Sequence, residues 1–495
     1  MNLIDVNRGM QIAACAVAGL LHGGCISLPS ASFSGRIPPD PASEFQGTSG
    51  FQGTAEPGPI RGPDTGRDQM HALPPEIGTN GPVALADCIR IALERNPRTQ
   101  STWQAARAEA ARVGEERSAY LPSVDIDAQA AHGKSVSLDS EIEREVRDTY
   151  AVGLDVSYLL LDGGAQRARV QSAEAGLLAA DFRHNTTLQE VALAVEESYY
   201  ERLGAQWLLK VANETVKRTQ YQLELARARH KAGMVTRADV LRAETQRAEA
   251  ELLQVQARNG VKIAQGRLAR NMGLPVHTPF DIAEVAAAVQ RAELPRIEQL
   301  LDEAARRRPE LKTALAGIEQ RRADLAGAQA ASWPTLSATG SAGRRDTELP
   351  PKEDEWSVGL SLGYALFDGF ERSHRRRRAQ SELASVMAEH ADLLRGIELE
   401  VWTAYWRLTE AGEAMEAAAA LTASASESAR LAEGEYKSGI TSIVGLIDAQ
   451  TARTEADRRL VQSRLDWYTA KTRFERAVGR SLAGRTDAVA QEERK

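Results

Sequence analysis

The sequence predicts a mainly α chain with a membrane β-barrel portion, laid out as tandem strand–strand–long helix–turn–helix repeats. Three observations carry that expectation. Gly163 to His230 runs almost 70 residues without proline, and as one helix it would be roughly 100 Å long, several times the diameter of a globular domain. Directly before it lie segments of about ten residues with strict apolar/polar alternation, the length and pattern of a transmembrane β-barrel wall. The whole arrangement then recurs about 200 residues later.

Composition narrows the function. The chain has 495 residues, 43% of them hydrophobic but only 5% aromatic, which favours helices packed through small side chains over a bulky core. A net charge of −7 argues against a nucleic-acid partner, whose footprint would be basic. The three cysteines, Cys15, Cys25 and Cys88, form no CxxC, and the eight histidines are scattered. No HExxH, GxSxG, phosphate-binding loop or dinucleotide fingerprint is present. These features argue against an enzyme, a metal or a cofactor, so energy for any transport has to come from partners.

Residues 1–25 read as a signal segment, with a short apolar run from Met10 to Leu21 behind Arg8. Leu21-His22-Gly23-Gly24-Cys25 resembles a lipobox that would acylate Cys25, although His22 departs from the usual small or aliphatic residue and ordinary cleavage stays open. Residues 26–82 are rich in Pro, Gly and Ser and read as a linker.

The first structural repeat spans 83–275. Leu85, Cys88, Ile89 and Ala92 share one helical face up to a break at Asn96-Pro97, and a second helix runs to about Ser118. Cys88 on that face reads as a small buried hydrophobe. After Tyr120-Leu121-Pro122, Val124, Ile126, Ala128 and Ala130 alternate with Ser123, Asp125, Asp127 and Gln129. A polar loop through Asp148 precedes a second alternation of Tyr150, Val152, Leu154, Val156, Tyr158 and Leu160. The long helix follows, then a turn at Gly233 and a helix from about Thr236 to Asn271. Residues 276–296 read as a loose connection, 297–480 as the second repeat, and 481–495 as a tail. The second repeat has the cleaner strand: Trp356, Val358, Leu360, Leu362, Tyr364 and Leu366 on one face, with aromatics near its ends as in interfacial girdles.

The repeat is the strongest signal. Asn96-Pro97 matches Arg308-Pro309, and Tyr120-Leu121-Pro122 matches Ser332-Trp333-Pro334, both 212 residues on. Asp162-Gly163, Val195, Tyr199, Gly233 and Gly273 match Asp368-Gly369, Val401, Tyr405, Gly439 and Gly479, all 206 residues on. The six-residue difference falls in the loop between the two strands, where length change is tolerated.

Four strands cannot close a transmembrane barrel, and open edges in a bilayer leave backbone groups unpaired. Closure therefore requires several chains. Leu241, Ala248 and Val255, and likewise Ile447, Thr454, Val461 and Tyr468, lie seven apart and predict coiled-coil seams on the shorter helices.

Bounded by Asn96-Pro97, Tyr120-Leu121-Pro122, Asp162-Gly163-Gly164, Tyr436-Lys437-Ser438-Gly439 and Leu446-Ile447-Asp448-Ala449-Gln450, the ordered set over about residues 83–480 resembles the TolC family of outer membrane efflux and secretion channels. The resemblance implies a homotrimer with a 12-stranded barrel in the outer membrane and an α-helical barrel across the periplasm. It also implies an inner membrane transporter, ABC-type or proton-driven, and a periplasmic adaptor as partners. Gly233 and Gly439 would mark the periplasmic tip turns. Asp448 matches a position of the family's acidic constriction, while the companion position one turn earlier is Gly445. Asp239 and Tyr436 match two members of a gating latch, Thr441 stands where its arginine would be, and Arg237 is a candidate substitute.

The run His374-Arg375-Arg376-Arg377-Arg378 is the densest charge cluster, two turns from the strand–helix junction. It reads as a solvated helix face, with lipid phosphates or an adaptor as the alternatives. The expected function is a passive exit duct contacting outer membrane lipid, exporting a protein toxin by type I secretion, with small-molecule efflux as the alternative. A periplasmic coiled-coil adaptor without a pore is the rival from another class.

Overall fold

The computed structural model describes residues 81–134, 146–284 and 294–480. The expectations for the signal segment, Cys25, the linker up to residue 80, the loop 135–145 and the tail 481–495 lie outside the described residues.

Each repeat opens with two short helices. In the first, α1 (Leu85–Arg95) buries Cys88, Ile89, Ile91, Ala92 and Leu93. Burial pushes the Cys88 thiol up to about 12, so it packs as a hydrophobe. Asn96 then caps α2 (Pro97–Ser118): its side chain accepts from the Arg98 amide at 2.9 Å and donates to the Asn271 carbonyl at 2.8 Å. Pro97 occupies the first helical position, where no amide donor is needed. The chain continues through β1 (Ser123–Lys134), β2 (Val146–Leu161), the 67-residue helix α3 (Ala165–Lys231) and α4 (Arg237–Asn271). The second repeat retraces this with α5 (Ile297–Arg307), α6 (Pro309–Ala330), β3 (Thr335–Asp346), β4 (Glu353–Gly363), the 68-residue α7 (Glu371–Ser438) and α8 (Ile443–Val478). At 1.5 Å per residue α3 and α7 are each about 100 Å long. Among the described residues no helix is apolar enough to cross a membrane.

Four helices end alike. At Gly233, Gly273, Gly439 and Gly479, all with positive φ, the glycine N–H and the next N–H reach back to carbonyls of the last turn. These are Schellman stops, and glycine takes the left-handed position without steric cost.

The strands form one antiparallel sheet in the order β1-β2-β3-β4, leaving β1 and β4 as open edges. The register pairs apolar with apolar: Val124 with Val156, Ile126 with Leu154, Leu336 with Leu362, Ala338 with Leu360. The other face is polar, with Ser123 bonded to Ser157 at 2.8 Å and Ser341 to Ser357 at 2.9 Å. Two strand boundaries differ from the sequence expectation. Arg147 and Asp148 belong to β2 rather than to the loop. β4 stops at Gly363, three residues before Leu366: Pro334, next on the partner strand, has no N–H to donate, and the Ala365 carbonyl accepts from Arg372 instead.

The strand-to-helix corners show where the repeats diverge. Gly163 is forced, because a Cβ there would lie 2.5 Å from Trp333 Cβ. Gly164 has φ +92°, and its counterpart in the second repeat is Phe370 at φ +69°, the one non-glycine residue with positive φ among the described residues. Left-handed backbone costs a side-chain-bearing residue about 1–2 kcal/mol.

The main core gathers α1, α5 and the ends of α4 and α8 around the middles of α3 and α7, with Tyr199, Leu203, Leu268, Leu300, Val401 and Val478 buried. Two earlier expectations need correction. The connection after 275 is not loose over its described part: Val83 and Ile282 form a parallel bridge, and the Tyr199 hydroxyl donates to the Ala283 carbonyl at 2.7 Å. The seam of α4 is not Leu241-Ala248-Val255, which are exposed. Ala243, Ala250 and Ala264 face inward instead, because alanines let α4 lie close against α3. On α8, Val461 and Tyr468 are buried as expected.

Candidate functional site

The residues singled out for function converge on the end of the molecule farthest from the sheet, where α3 turns into α4 and α7 into α8. Gly233 (φ +74°) and Gly439 (φ +80°) make these two turns. Behind them a small core buries Leu223, Ala226, Ala243, Tyr436, Ile443 and Leu446, drawn from all four helices. It is separate from the main core, and at its centre lies Tyr436.

Tyr436 is 1% exposed, and its hydroxyl has no hydrogen-bond partner among the described residues. Burial raises its pKa; Arg229 opposes the shift and Asp239 adds to it. The guanidinium of Arg229 lies 4.8 Å from the ring centroid and donates to the Tyr436 carbonyl. A cation thus serves the C-terminal carbonyls of α7, where the helix dipole favours it. Lys437, paired with Glu433 at 2.6 Å, also sits over the Tyr221 ring at 5.2 Å. The Arg229–Tyr436 and Lys437–Tyr221 contacts cross between repeats, so the first repeat clasps the last turn of α7.

Asp239 comes to the same tip without bonding Tyr436. Its carboxylate accepts from the Thr236 amide at 3.0 Å and the Thr236 hydroxyl at 2.9 Å, completing a capping box at the start of α4. Arg242 approaches it at 3.8 Å. Arg237, the candidate cation, is exposed and makes no ion pair among the described residues; the cation at Tyr436 is Arg229. Sequence reasoning passed Arg229 over because its partners are a ring and a main-chain carbonyl 207 residues away. The Thr236-x-x-Asp239 spacing was a readable sign that Asp239 belongs to a cap.

Asp448 is exposed in the second turn of α8, off the face that buries Leu446 and Gln450. One turn earlier, Gly445 donates its amide to the cap residue Ser442 at 3.5 Å. A Cβ at 445 would lie 2.9 Å from Thr441 Oγ1, so the glycine and Thr441 fit each other. Asp448 therefore stands as the one carboxylate of that helix start. Among the described residues no group of three His, Cys, Asp or Glu side chains is placed to hold a metal.

The chain matches the profile of the outer membrane efflux protein family over residues 88–274 and 300–480, one match per repeat. It is 29% identical over 395 residues to protein CyaE of Bordetella pertussis, covering 78% of this chain and 82% of that one. Outer membrane protein OprJ of Pseudomonas aeruginosa is 26% identical over 382 residues, covering 73% and 77% respectively. The solved CmeC outer membrane channel of Campylobacter jejuni superposes with a TM-score of 0.73 at 16% identity, covering 85% of this chain and 94% of that one.

Proposed function

Because this chain belongs to the outer membrane efflux protein family, an outer membrane channel reaching into the periplasm of a Gram-negative bacterium, we propose that it is the passive exit duct of a tripartite export system. Membership of a channel family excludes the poreless coiled-coil scaffold. One observation carries the rest: a four-stranded sheet with two open edges joined to helices about 100 Å long. Unpaired edges are not viable in hydrocarbon. Three copies close a 12-stranded barrel, and their helices continue it as a tube. An inner membrane transporter supplies energy and an adaptor joins the two; the chain itself does no chemistry.

In this reading the Gly233 and Gly439 turns form the periplasmic mouth, Arg229 on Tyr436 holds it shut at rest beside the cap that Asp239 makes, and Asp448 from three copies forms a carboxylate ring. Such a ring in a narrow opening attracts cations. Asp448→Ala is expected to lower cation over anion permeability in planar bilayers, and unchanged selectivity sinks the ring.

For cargo we favour a polypeptide carried by type I secretion. Gly445 supports this, since one carboxylate per chain rather than two leaves the mouth less charged and less crowded. Small-molecule efflux is the second reading, favoured by the family's description. A null strain separates them: a polypeptide missing from the medium with unchanged drug and dye sensitivity supports secretion, and raised sensitivity with an intact secretome supports efflux.

A further inference from the structure

We propose that the start of α7 binds the anionic headgroups of phospholipids in the periplasmic leaflet of the outer membrane. The inference rests on the membrane placement of the sheet and is independent of the cargo and the tip.

The lipid-facing row of β4, Trp356, Val358, Leu360 and Leu362, runs on past the strand into Tyr364 and Leu366. Leu366 at its end is 88% exposed, and beyond it Phe367 is 77% and Phe370 66% exposed. The two phenylalanines touch edge to face at 5.7 Å. Phe370 sits in left-handed backbone where the first repeat has glycine, so an aromatic is kept at a strained position without a protein core to fill. Aromatic side chains of this kind settle at the headgroup level of a bilayer.

One to two turns further lie four consecutive arginines. Arg375 pairs with Glu371, Arg378 reaches Glu382 at 3.6 Å, and Arg372 pairs with Asp368 at 2.6 Å. Arg376 and Arg377 are exposed and make no ion pair among the described residues. Cations in the opening turns oppose the helix dipole, so the helix itself gives no reason for them. Because α7 leaves the membrane, its N-terminus is the bilayer end, and helical side chains tilt toward the N-terminus. The guanidinium groups therefore lean back toward the phosphates above them, just below the aromatic pair.

The first repeat keeps only one of the four arginines: Arg169 matches Arg375, while Val170, Gln171 and Ser172 stand opposite Arg376, Arg377 and Arg378. Ala168 and Val170, the counterparts of His374 and Arg376, are buried. The continuity of the aromatic row with the lipid face of the sheet favours a membrane over a protein as the occupant.

The test uses the purified full-length protein, delipidated in detergent and titrated with phosphatidylglycerol or phosphatidylcholine under native mass spectrometry. The wild type is expected to retain phosphatidylglycerol preferentially. Arg376→Gln with Arg377→Gln lowers that preference by about 5-fold per arginine removed. Phe370→Gly relaxes the backbone, so its Tm in detergent does not fall, while retention of both lipids drops. An unchanged preference in the double variant overturns the proposal. So does displacement of the lipid by millimolar inorganic phosphate, or unchanged lipid retention with lost capture of a periplasmic adaptor, which would assign the face to a protein.

Discussion

One guanidinium joins the two repeats at the buried Tyr436 of the tip. Arg229 covers the buried Tyr436 ring and donates to the carbonyl near the end of α7, while the Tyr436 hydroxyl finds no partner among the described residues. A buried polar group left unpaired costs about 1–3 kcal/mol, which marks Tyr436 as a poised element rather than a settled one. Arg229→Ala is expected to loosen the last turn of α7 and raise single-channel conductance in planar bilayers. The stability cost would be only about 1–2 kcal/mol, because one cation–π contact and one hydrogen bond are lost. Wild-type conductance would sink this assignment. Both glycines were readable as turns through their positions in the repeat, whereas Tyr436 and Asp239 came only through the family resemblance. Arg229 was readable in neither way, since nothing local marks a side chain whose partners lie in the other half of the chain.

At the scale of elements, legibility followed the strength of local rules. The long helices were legible because proline is absent and a positive-φ glycine stops each one. The strands were legible because alternation recurs with the same face apolar on neighbours, as in Ile126 against Leu154. Their ends were less so: Arg147 and Asp148 read as loop but pair in the ladder, whose backbone bonds ignore side-chain polarity. The seam of α4 was misread for a packing reason. Heptad spacing suits either stripe, and close approach to α3 selects the alanines Ala243 and Ala250 over the larger Leu241 and Val255. Phe370 was illegible for the opposite reason, because its left-handed backbone belongs to a corner that the sequence usually marks with glycine, as at Gly164.

A different exposed row on α4 has a meaning in the whole molecule. Leu241, Leu252 and Ile263 are 52%, 59% and 59% exposed and lie eleven residues apart on α4. An eleven-residue spacing is close to three full turns, so the three side chains form a nearly straight line along the helix. Their counterparts on α8 are Ile447, Arg458 and Thr469, so the row is not duplicated in the second repeat. Among the described residues of one chain nothing covers it, just as none pairs the outer edges of β1 and β4. Both unfinished surfaces call for a neighbouring copy. If that copy covers the stripe, each leucine or isoleucine contributes up to about 1.5–3 kcal/mol per contact, and a threefold assembly uses every contact three times. Replacing Leu241, Leu252 and Ile263 together with glutamate leaves the fold of one chain intact, because all three are already exposed. The expected outcome is a trimer that dissociates in mild detergent, read as a fall in mass by light scattering. Trimers of undiminished stability would show that the sheet edges alone hold the assembly and that the stripe faces something else.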